Sequence, residues 1–119
     1  MRMITGSAAE DEARVRRITE NEVMARYVNE AIEEGNGRRG GGVNPSFNCE
    51  CCRPDCRDHL VGLESPEYEG IRAHHRRFAV LPGHVNTEIE TVVEAKGAYV
   101  IVEKHGAAGR LAEARDDRP

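Results

Sequence analysis

The sequence predicts a small α+β domain, with a short helix and a β-hairpin, preceded by an amphipathic N-terminal helix. Apolar residues between Met24 and Ile32 follow the spacing i, i+3, i+4, i+7 and i+8, which is typical of one helix face. Two valine-rich segments, 90–94 and 99–104, are separated by a glycine-containing turn and indicate the hairpin. All four cysteines are clustered mid-chain. A domain of about 70 residues has a thin core, so this cluster favours a zinc-stabilised fold.

The chain is expected to divide into a helical N-terminal part and a C-terminal domain. Acidic residues from Glu10 onward suit the start of a helix, and Gly35 suits its C-cap. Two Asn-Glu pairs, beginning at Asn21 and Asn29, predict a solvated side of this helix. The expected segments are a disordered tail at 1–9, the amphipathic helix at 10–35, a Gly-rich linker at 36–43, the zinc-binding α+β domain at 44–115 and a tail at 116–119.

The C-terminal domain carries signals for short strands and helices. Ser65 is a good N-cap and Pro66 suits the first helical position, which predicts a short helix that buries Tyr68 and Ile71. The dipeptide Pro82-Gly83 predicts a turn. The remaining predicted elements are an extended segment at 47–51, a short strand at 59–63, the end of the short helix near His75, a strand at 77–81 and a helix at 107–115 with Leu111 inward.

Composition narrows the class of protein. The formal net charge of −4 argues against a nucleic-acid-binding field over the whole surface. The first ten residues lack the apolar region of a signal peptide, and no apolar run approaches the roughly 20 residues that span a bilayer. We therefore expect a cytoplasmic protein, and the fifteen arginines against two lysines are typical of a high-GC bacterial genome. Thiols stay reduced in that compartment, so closely spaced cysteines are interpreted as metal ligands rather than as disulfides.

The cysteine cluster has the spacing of a metal site. In an extended segment residues i and i+2 point to the same side, so Cys49 and Cys51 face one ion while Cys52 faces away. The turn residues Pro54 and Asp55 bring the chain back, so that Cys56 supplies a third thiolate. Zinc usually takes four tetrahedral ligands drawn from thiolate and imidazole, so one more ligand is needed.

Three residues compete for the fourth position. Cys52 would complete an all-thiolate site, although adjacent ligands strain the geometry. His59 lies at a usable local spacing from Cys56. His84 follows the Pro82-Gly83 turn and would tie a distant strand to the cluster, which has the larger stabilising effect on a small fold. Spacing favours His84 and leaves the other two open.

Several motifs occur in order along the chain: Phe47-x-Cys49-Glu50-Cys51, Cys56, Glu67-Tyr68-Glu69, Arg72, Arg77-Phe78-x-Val80, Pro82-Gly83-His84, Val92-Val93-Glu94 and Tyr99-x-x-Val102-Glu103-Lys104. With these motifs the chain resembles an uncharacterised family of short actinobacterial proteins with a CxC-x4-C plus PGH zinc site. The resemblance covers about residues 44–118 and implies that Cys49, Cys51, Cys56 and His84 bind zinc together, whereas Cys52 and His59 depart from the family pattern.

The favoured function is that of a small regulatory or adaptor module in which zinc is structural and which binds a macromolecular partner, with no catalytic residues. The apolar helix face would bind a protein partner through Met24, Tyr27 and Val28. One alternative is contact with nucleic acid or ribonucleoprotein through an arginine-rich run that includes Arg72, Arg76 and Arg77. The other alternative is a thiol-based redox switch, in which oxidation of the cysteines releases the metal.

Overall fold

The computed structural model describes residues 2–38, 46–51, 53 and 55–118, and it confirms the α+β class. A long N-terminal helix precedes a short helix, a three-stranded antiparallel sheet and a C-terminal helix. Cys52 and residues 39–43 of the predicted linker lie outside the described residues. The elements in chain order are α1 (Arg2–Arg38), α2 (Ser65–Arg72), β1 (Arg77–Val80), a 3-10 turn (Pro82–His84), β2 (Glu90–Ala95), β3 (Val100–Lys104) and α3 (Gly106–Ala114).

The sheet has the order β1-β3-β2, so β3 is the central strand. Val102 of β3 pairs with Phe78 of β1 on one side and with Val92 of β2 on the other. The predicted hairpin is β2 and β3, joined by a turn in which Gly97 has a φ of 84°, a conformation that favours glycine. The strand expected at 59–63 is reduced to a single bridge between Asn48 and His59, because that stretch pairs only with the cysteine segment.

Helix α2 differs at both ends from the sequence expectation. Glu64, rather than Ser65, is the N-cap of α2, because its backbone N–H reaches the Glu67 carboxylate at 3.0 Å in a capping box. The helix ends at Arg72 instead of near His75 and buries Tyr68 and Ile71 as predicted.

In α3 the inward residues are Ala108, Gly109 and Ala112, whereas Leu111, expected to point inward, is only half-buried. Small residues are needed there because α3 packs closely on the sheet. A Cβ added at Gly109 would lie 2.8 Å from both the Arg76 guanidinium and the Lys104 carbonyl oxygen.

The helix α1 is longer than predicted. It begins at Arg2, so residues 2–9 are helical rather than a disordered tail, and it continues through Gly35 to Arg38. At the other end the helix continues through Gly35 and Gly37, although each helical glycine costs roughly 1 kcal/mol, and Ile32 near this end packs against the core.

The orientation of α1 leaves most of its predicted apolar face exposed. Met24, Tyr27 and Val28, which belong to the predicted apolar face, are 62%, 63% and 41% exposed. Ala31 is exposed as well, and only Ile32 of that set packs against the core. We call Met24, Tyr27, Val28 and Ala31 the outer face of α1.

The side of α1 that contacts the domain is polar. Thr19, Glu22, Arg26 and Asn29 are all buried, and Glu22 and Asn29 each belong to an Asn-Glu pair that was expected to be solvated. The domain supplies polar or charged partners for Glu22, Arg26 and Asn29. Arg26, for example, donates hydrogen bonds to the carbonyl oxygens of His75 and Ala112 at 2.8 and 3.0 Å.

A buried charged cluster forms the centre of this contact. Lys104 of β3 forms ion pairs with Glu22 of α1 and Glu90 of β2, and all three side chains are fully buried. Two cations lie over the aromatic ring of Phe78, the Arg26 guanidinium 4.5 Å and the Lys104 ammonium 4.7 Å from the ring centroid. Burial raises the pKa of Glu22 to about 8, with Lys104 opposing the shift and Glu90 adding to it.

Candidate metal centre

An extended segment at 46–51 positions two of the cysteines. Its backbone bonds to the returning chain on one side, through Cys49 N–H to the Asp58 carbonyl at 3.0 Å, and to β1 on the other, through Glu50 N–H to the Ala79 carbonyl at 2.9 Å. The alternation of an extended chain then places Cys49 and Cys51 on the same side. Both are buried.

Two turns bring the other two ligand candidates to these cysteines. The backbone N–H of Cys56 bonds to the Arg53 carbonyl at 3.2 Å, which turns the chain back as the sequence predicts. His84 ends the 3-10 turn that follows β1, and its N–H bonds to the Leu81 carbonyl at 2.9 Å. The Arg53 guanidinium joins the two turns by donating to the Gly83 carbonyl at 3.2 Å.

The four side chains converge on one point. The ligand atoms of Cys49, Cys51, Cys56 and His84 all lie within 4.8 Å of one another, so the group can hold a metal ion. The Nδ1 atom of His84 is 3.6 Å from the sulfur of Cys49 and 3.6 Å from that of Cys56. The backbone N–H of Leu81 donates to the Cys49 sulfur at 3.2 Å and fixes its position.

The three thiols differ in the direction of their pKa shifts. A hydrogen bond from Cys49 is the main cause that lowers the pKa of Cys51 to about 5, against the effect of burial. The same bond, together with burial, raises the pKa of Cys49. Burial also raises the pKa of Cys56. Because a metal binds thiolates, ion binding at this site would release protons.

Of the three candidates for the fourth ligand, only His84 lies in the ligand group found among the described residues. His59 is exposed and does not belong to the ligand group found among the described residues. Cys52 is not among the residues described. His84 is the residue whose imidazole lies among the three sulfurs.

The arginines predicted for partner binding are engaged with acidic side chains. Arg72 is fully buried, and its guanidinium bonds to the carboxylates of Glu30 and Asp116. Burial would raise the pKa of Asp116, but hydrogen bonds, first that from Arg72, lower it to about 2. The remaining pairs are Arg76 with Glu113 and Arg77 with Glu103, each at 2.9 Å.

Glu50 is a residue of the site that sequence reasoning did not identify. Its carboxylate is fully buried and accepts hydrogen bonds from the Ala79 N–H at 2.9 Å, the Tyr68 hydroxyl at 2.7 Å and the Asn29 side-chain amide at 3.0 Å. Burial raises its pKa, and these donors oppose the shift. The alternation that aims Cys49 and Cys51 at one ion also aims Glu50 at the domain interior, which was the available signal.

No helix in the described part of the chain is long and apolar enough to cross a membrane. Comparison with protein-family models, with curated proteins and with solved structures found no match.

Proposed function

We propose that this chain is a small zinc-binding regulatory or adaptor module, in which the metal is structural and the outer face of α1 binds a macromolecular partner. The observation that carries the proposal is the convergence of three cysteines and His84, which supply four ligands from the protein itself. A structural zinc site has all four positions filled by protein, whereas a catalytic site keeps one open. The proposal places the protein in the cytoplasm, where thiols stay reduced.

The ligand chemistry and spacing favour zinc. Thiolates are soft ligands, and a tetrahedral site of sulfur and imidazole nitrogen is typical of zinc. Bonds of about 2.3 Å to sulfur and about 2.0–2.1 Å to nitrogen place a sulfur and a nitrogen ligand roughly 3.6 Å apart in a tetrahedron. The two sulfur–nitrogen distances at His84 are 3.6 Å. These two distances match those expected between ligands of one zinc ion, and all four ligand atoms lie within 4.8 Å of one another.

The structural role of the metal follows from what the ligands join. The cysteines belong to the segment before α2, and His84 belongs to the turn after β1. Glu50, which lies between Cys49 and Cys51 in the sequence, accepts hydrogen bonds from α1, α2 and β1. An ion at this site would hold the loops in the geometry that gives Glu50 its partners.

A binding role is favoured over catalysis and over nucleic-acid contact. The outer face of α1 exposes adjacent apolar side chains, and such a patch is typical of a protein interaction site. Arg72, Arg76 and Arg77, by contrast, are paired with carboxylates, which reduces their attraction for phosphate.

Native mass spectrometry of protein purified without added metal tests the metal part of the proposal. We expect one zinc ion per chain, retained in Cys52→Ser and His59→Ala and lost in Cys56→Ser and His84→Ala. The first two variants are matched controls, because they remove the competing thiol and imidazole. Retention of zinc by His84→Ala with loss from His59→Ala or Cys52→Ser would contradict the ligand set.

A pull-down with tagged protein tests the binding part. We expect a partner that Tyr27→Glu does not recover and that Val61→Glu does, since Val61 is also exposed but lies outside α1. Equal recovery with both variants would contradict binding through the outer face.

A further inference from the structure

We propose that the metal centre is a redox switch, in which a peroxide oxidises Cys56 and joins it to Cys51 in a disulfide, so that the site loses two of its four ligands. This inference rests on the proposed function, since it names the regulation of the same site. It follows from three observations, which are the exposure of Cys56 beside a groove, the backbone register that sets Cys51 opposite Cys56, and the hydrogen bond that joins this segment to α1.

Cys56 is the ligand candidate that an oxidant reaches first. Cys49 and Cys51 are each 7% exposed, whereas Cys56 is only half-buried. A groove of about 450 Å³ lies beside Cys49 and Cys56 and is also lined by Ala25 and Val28 of α1. Hydrogen peroxide is close to water in size, and a water molecule takes up about 30 Å³ in the liquid. The groove therefore admits a peroxide to the Cys56 sulfur.

The metal-loaded chain presents Cys56 in the reactive form. The nucleophile of a cysteine is its thiolate, and a thiol that coordinates a metal is deprotonated outright. Susceptibility to oxidation follows thiolate character and exposure together. Cys56 combines both, whereas burial protects Cys49 and Cys51.

The backbone register places Cys51 opposite Cys56. Asn48 forms an antiparallel bridge with His59, and the same register, continued toward the turn, sets Cys51 against Cys56. Opposite residues of an antiparallel pair have Cα atoms about 4.5–5.5 Å apart, inside the range of about 4.4–6.8 Å that a disulfide needs. The pair is therefore placed for a disulfide, and its sulfur atoms already lie within 4.8 Å of each other.

The other pairings within the ligand group are less favourable. Cys49 lies opposite Asp58, to whose carbonyl its N–H bonds at 3.0 Å, so it is two residues out of register with Cys56. Cys49 and Cys51 are two residues apart in an extended segment, which separates their Cα atoms by about 6.6 Å, close to the upper limit for a disulfide. Their side chains also point in the same direction rather than toward each other.

The reaction balances with the peroxide as the oxidant. The Cys56 thiolate attacks one peroxide oxygen and the O–O bond breaks, which gives a sulfenic acid and a hydroxide that takes up a proton to become water. The Cys51 thiolate then attacks the sulfenic sulfur, the S–S bond forms, the S–O bond breaks, and the departing hydroxide is protonated to a second water. The two sulfur atoms together lose two electrons, and the peroxide gains them.

The consequence of the disulfide extends beyond the cysteines. Cys49 and His84 are what remains of the ligand group, and they are too few for a structural zinc site, which takes four protein ligands. Glu50, which lies between Cys49 and Cys51, accepts a hydrogen bond from Asn29 of α1 at 3.0 Å. Loss of the metal therefore loosens the segment that anchors the helix of the proposed binding surface.

Peroxide treatment of the zinc-loaded full chain tests the switch. We expect the bound zinc to be released at the same rate as two thiols are lost, and we expect dithiothreitol with added zinc to restore both. Cys52→Ser should behave as the wild type, because the disulfide does not use Cys52. A zinc-loaded wild type that keeps its metal and its thiols in peroxide overturns the switch, and so does a product that dithiothreitol does not restore.

Cys52→Ser also allows the disulfide to be mapped. Cleavage after Glu50 and before Asp55 puts the three remaining cysteines of this variant on separate fragments. We expect mass spectrometry of the unreduced digest to find the fragment of Cys51 linked to that of Cys56. A linkage through the third cysteine, or between two chains, overturns the pairing.

Dimedone, which traps sulfenic acids, tests which cysteine is oxidised first. In excess and added together with the peroxide, it should label the Cys56 fragment of Cys52→Ser. A label on Cys49 or Cys51, or on none of the three, overturns initial attack at Cys56.

The metal content before treatment separates this proposal from the proposed function. A wild type that carries no zinc overturns the metal module itself. A zinc-loaded wild type that peroxide leaves unchanged overturns the switch alone.

Discussion

Glu50 lies between two metal-ligand candidates, yet its side chain contacts three elements that carry none of the cysteines. Its carboxylate bonds to Asn29 of α1, Tyr68 of α2 and Ala79 of β1. The backbone of one residue thus sets the spacing of the cysteines while its side chain joins the helices to the sheet. A buried carboxylate with three donors is stabilising only as long as every donor stays in place.

Glu50→Gln should lower the free energy of unfolding by about 1–3 kcal/mol, because in either orientation its amide NH2 takes an oxygen position at which at least one donor already points. Urea unfolding of the zinc-loaded protein measures the change. Glu12→Gln is the matched control, since Glu12 is exposed on α1. Equal stability of the two variants would show that the Glu50 carboxylate is not needed for the packing of the three elements.

Stability should depend on pH through Glu22. Its pKa is about 8 in the folded chain against an ordinary value of 4.5. Between these values the folded state holds a proton that the unfolded state has lost, so the free energy of unfolding falls as the pH rises. The effect is complete above about pH 8, when Glu22 is ionised in the folded state as well as in the unfolded state.

Glu22→Gln should therefore flatten the decline in stability between pH 5 and pH 8, by at least about 1 kcal/mol. Urea unfolding at several pH values measures it. The slope will not vanish, because burial and the neighbouring Glu69 also raise the pKa of Glu33 to about 8. An unchanged slope would mean that Glu22 is ionised in the folded protein.

The residues of the candidate metal centre were largely predictable. Alternation in an extended segment paired Cys49 with Cys51, and the turn signals brought Cys56 and His84 toward them. The carboxylate of Glu50 was not predicted, because its three donors come from positions 29, 68 and 79, and no local pattern relates these positions.

At the scale of elements, α1 shows that the periodicity of apolar residues is not enough to predict which face of a helix is buried. The spacing of Met24, Tyr27 and Val28 correctly identifies one helix face, but it does not say which molecule that face meets. The inner face is decided by partners far along the chain, such as Lys104 for Glu22. Strand β1, the hairpin and α2 were easier to predict from the sequence, since the turn and cap residues that mark them lie next to these elements in the chain.

The contact between α3 and the sheet depends on the absence of a side chain at Gly109. Gly109→Ala should lower the free energy of unfolding by about 1–3 kcal/mol, because its Cβ would lie 2.8 Å from the backbone oxygen of Lys104. Gly70→Ala is the control within α2. No atom lies within 4 Å of a Cβ added there, so this variant should gain about 0.5–1 kcal/mol.

Thermal unfolding of both variants, followed by circular dichroism, gives the comparison. A Gly109→Ala protein as stable as the wild type would show that α3 can move off the sheet at little cost.

At the scale of the whole molecule, the sequence predicted the α+β class and left open whether the N-terminal helix packs on its own domain. The helix packs along the domain, and ion pairs such as Arg14 with Glu88 and Arg115 with Glu20 join distant parts of the chain. Polar contacts of this kind have no sequence signature, because any exposed helix carries similar residues.

Metal removal should therefore affect the entire chain rather than the cysteine loop alone. We expect a chelator to lower the unfolding temperature by at least about 10 °C, with the helical and near-ultraviolet signals lost in one transition. Cys51→Ser, which is expected to bind no metal, serves as the control and should show no further change with chelator. An unchanged wild-type melting curve would contradict a structural role for the ion.

The three tyrosines occupy unlike surroundings, and the chain has no tryptophan. Tyr68 and Tyr99 are buried, whereas Tyr27 is 63% exposed on the outer face of α1. Collisional quenching of the intrinsic fluorescence by iodide will consequently act mainly on Tyr27. The native protein thus contains its own optical probe, without any label, for whatever comes to cover that helix.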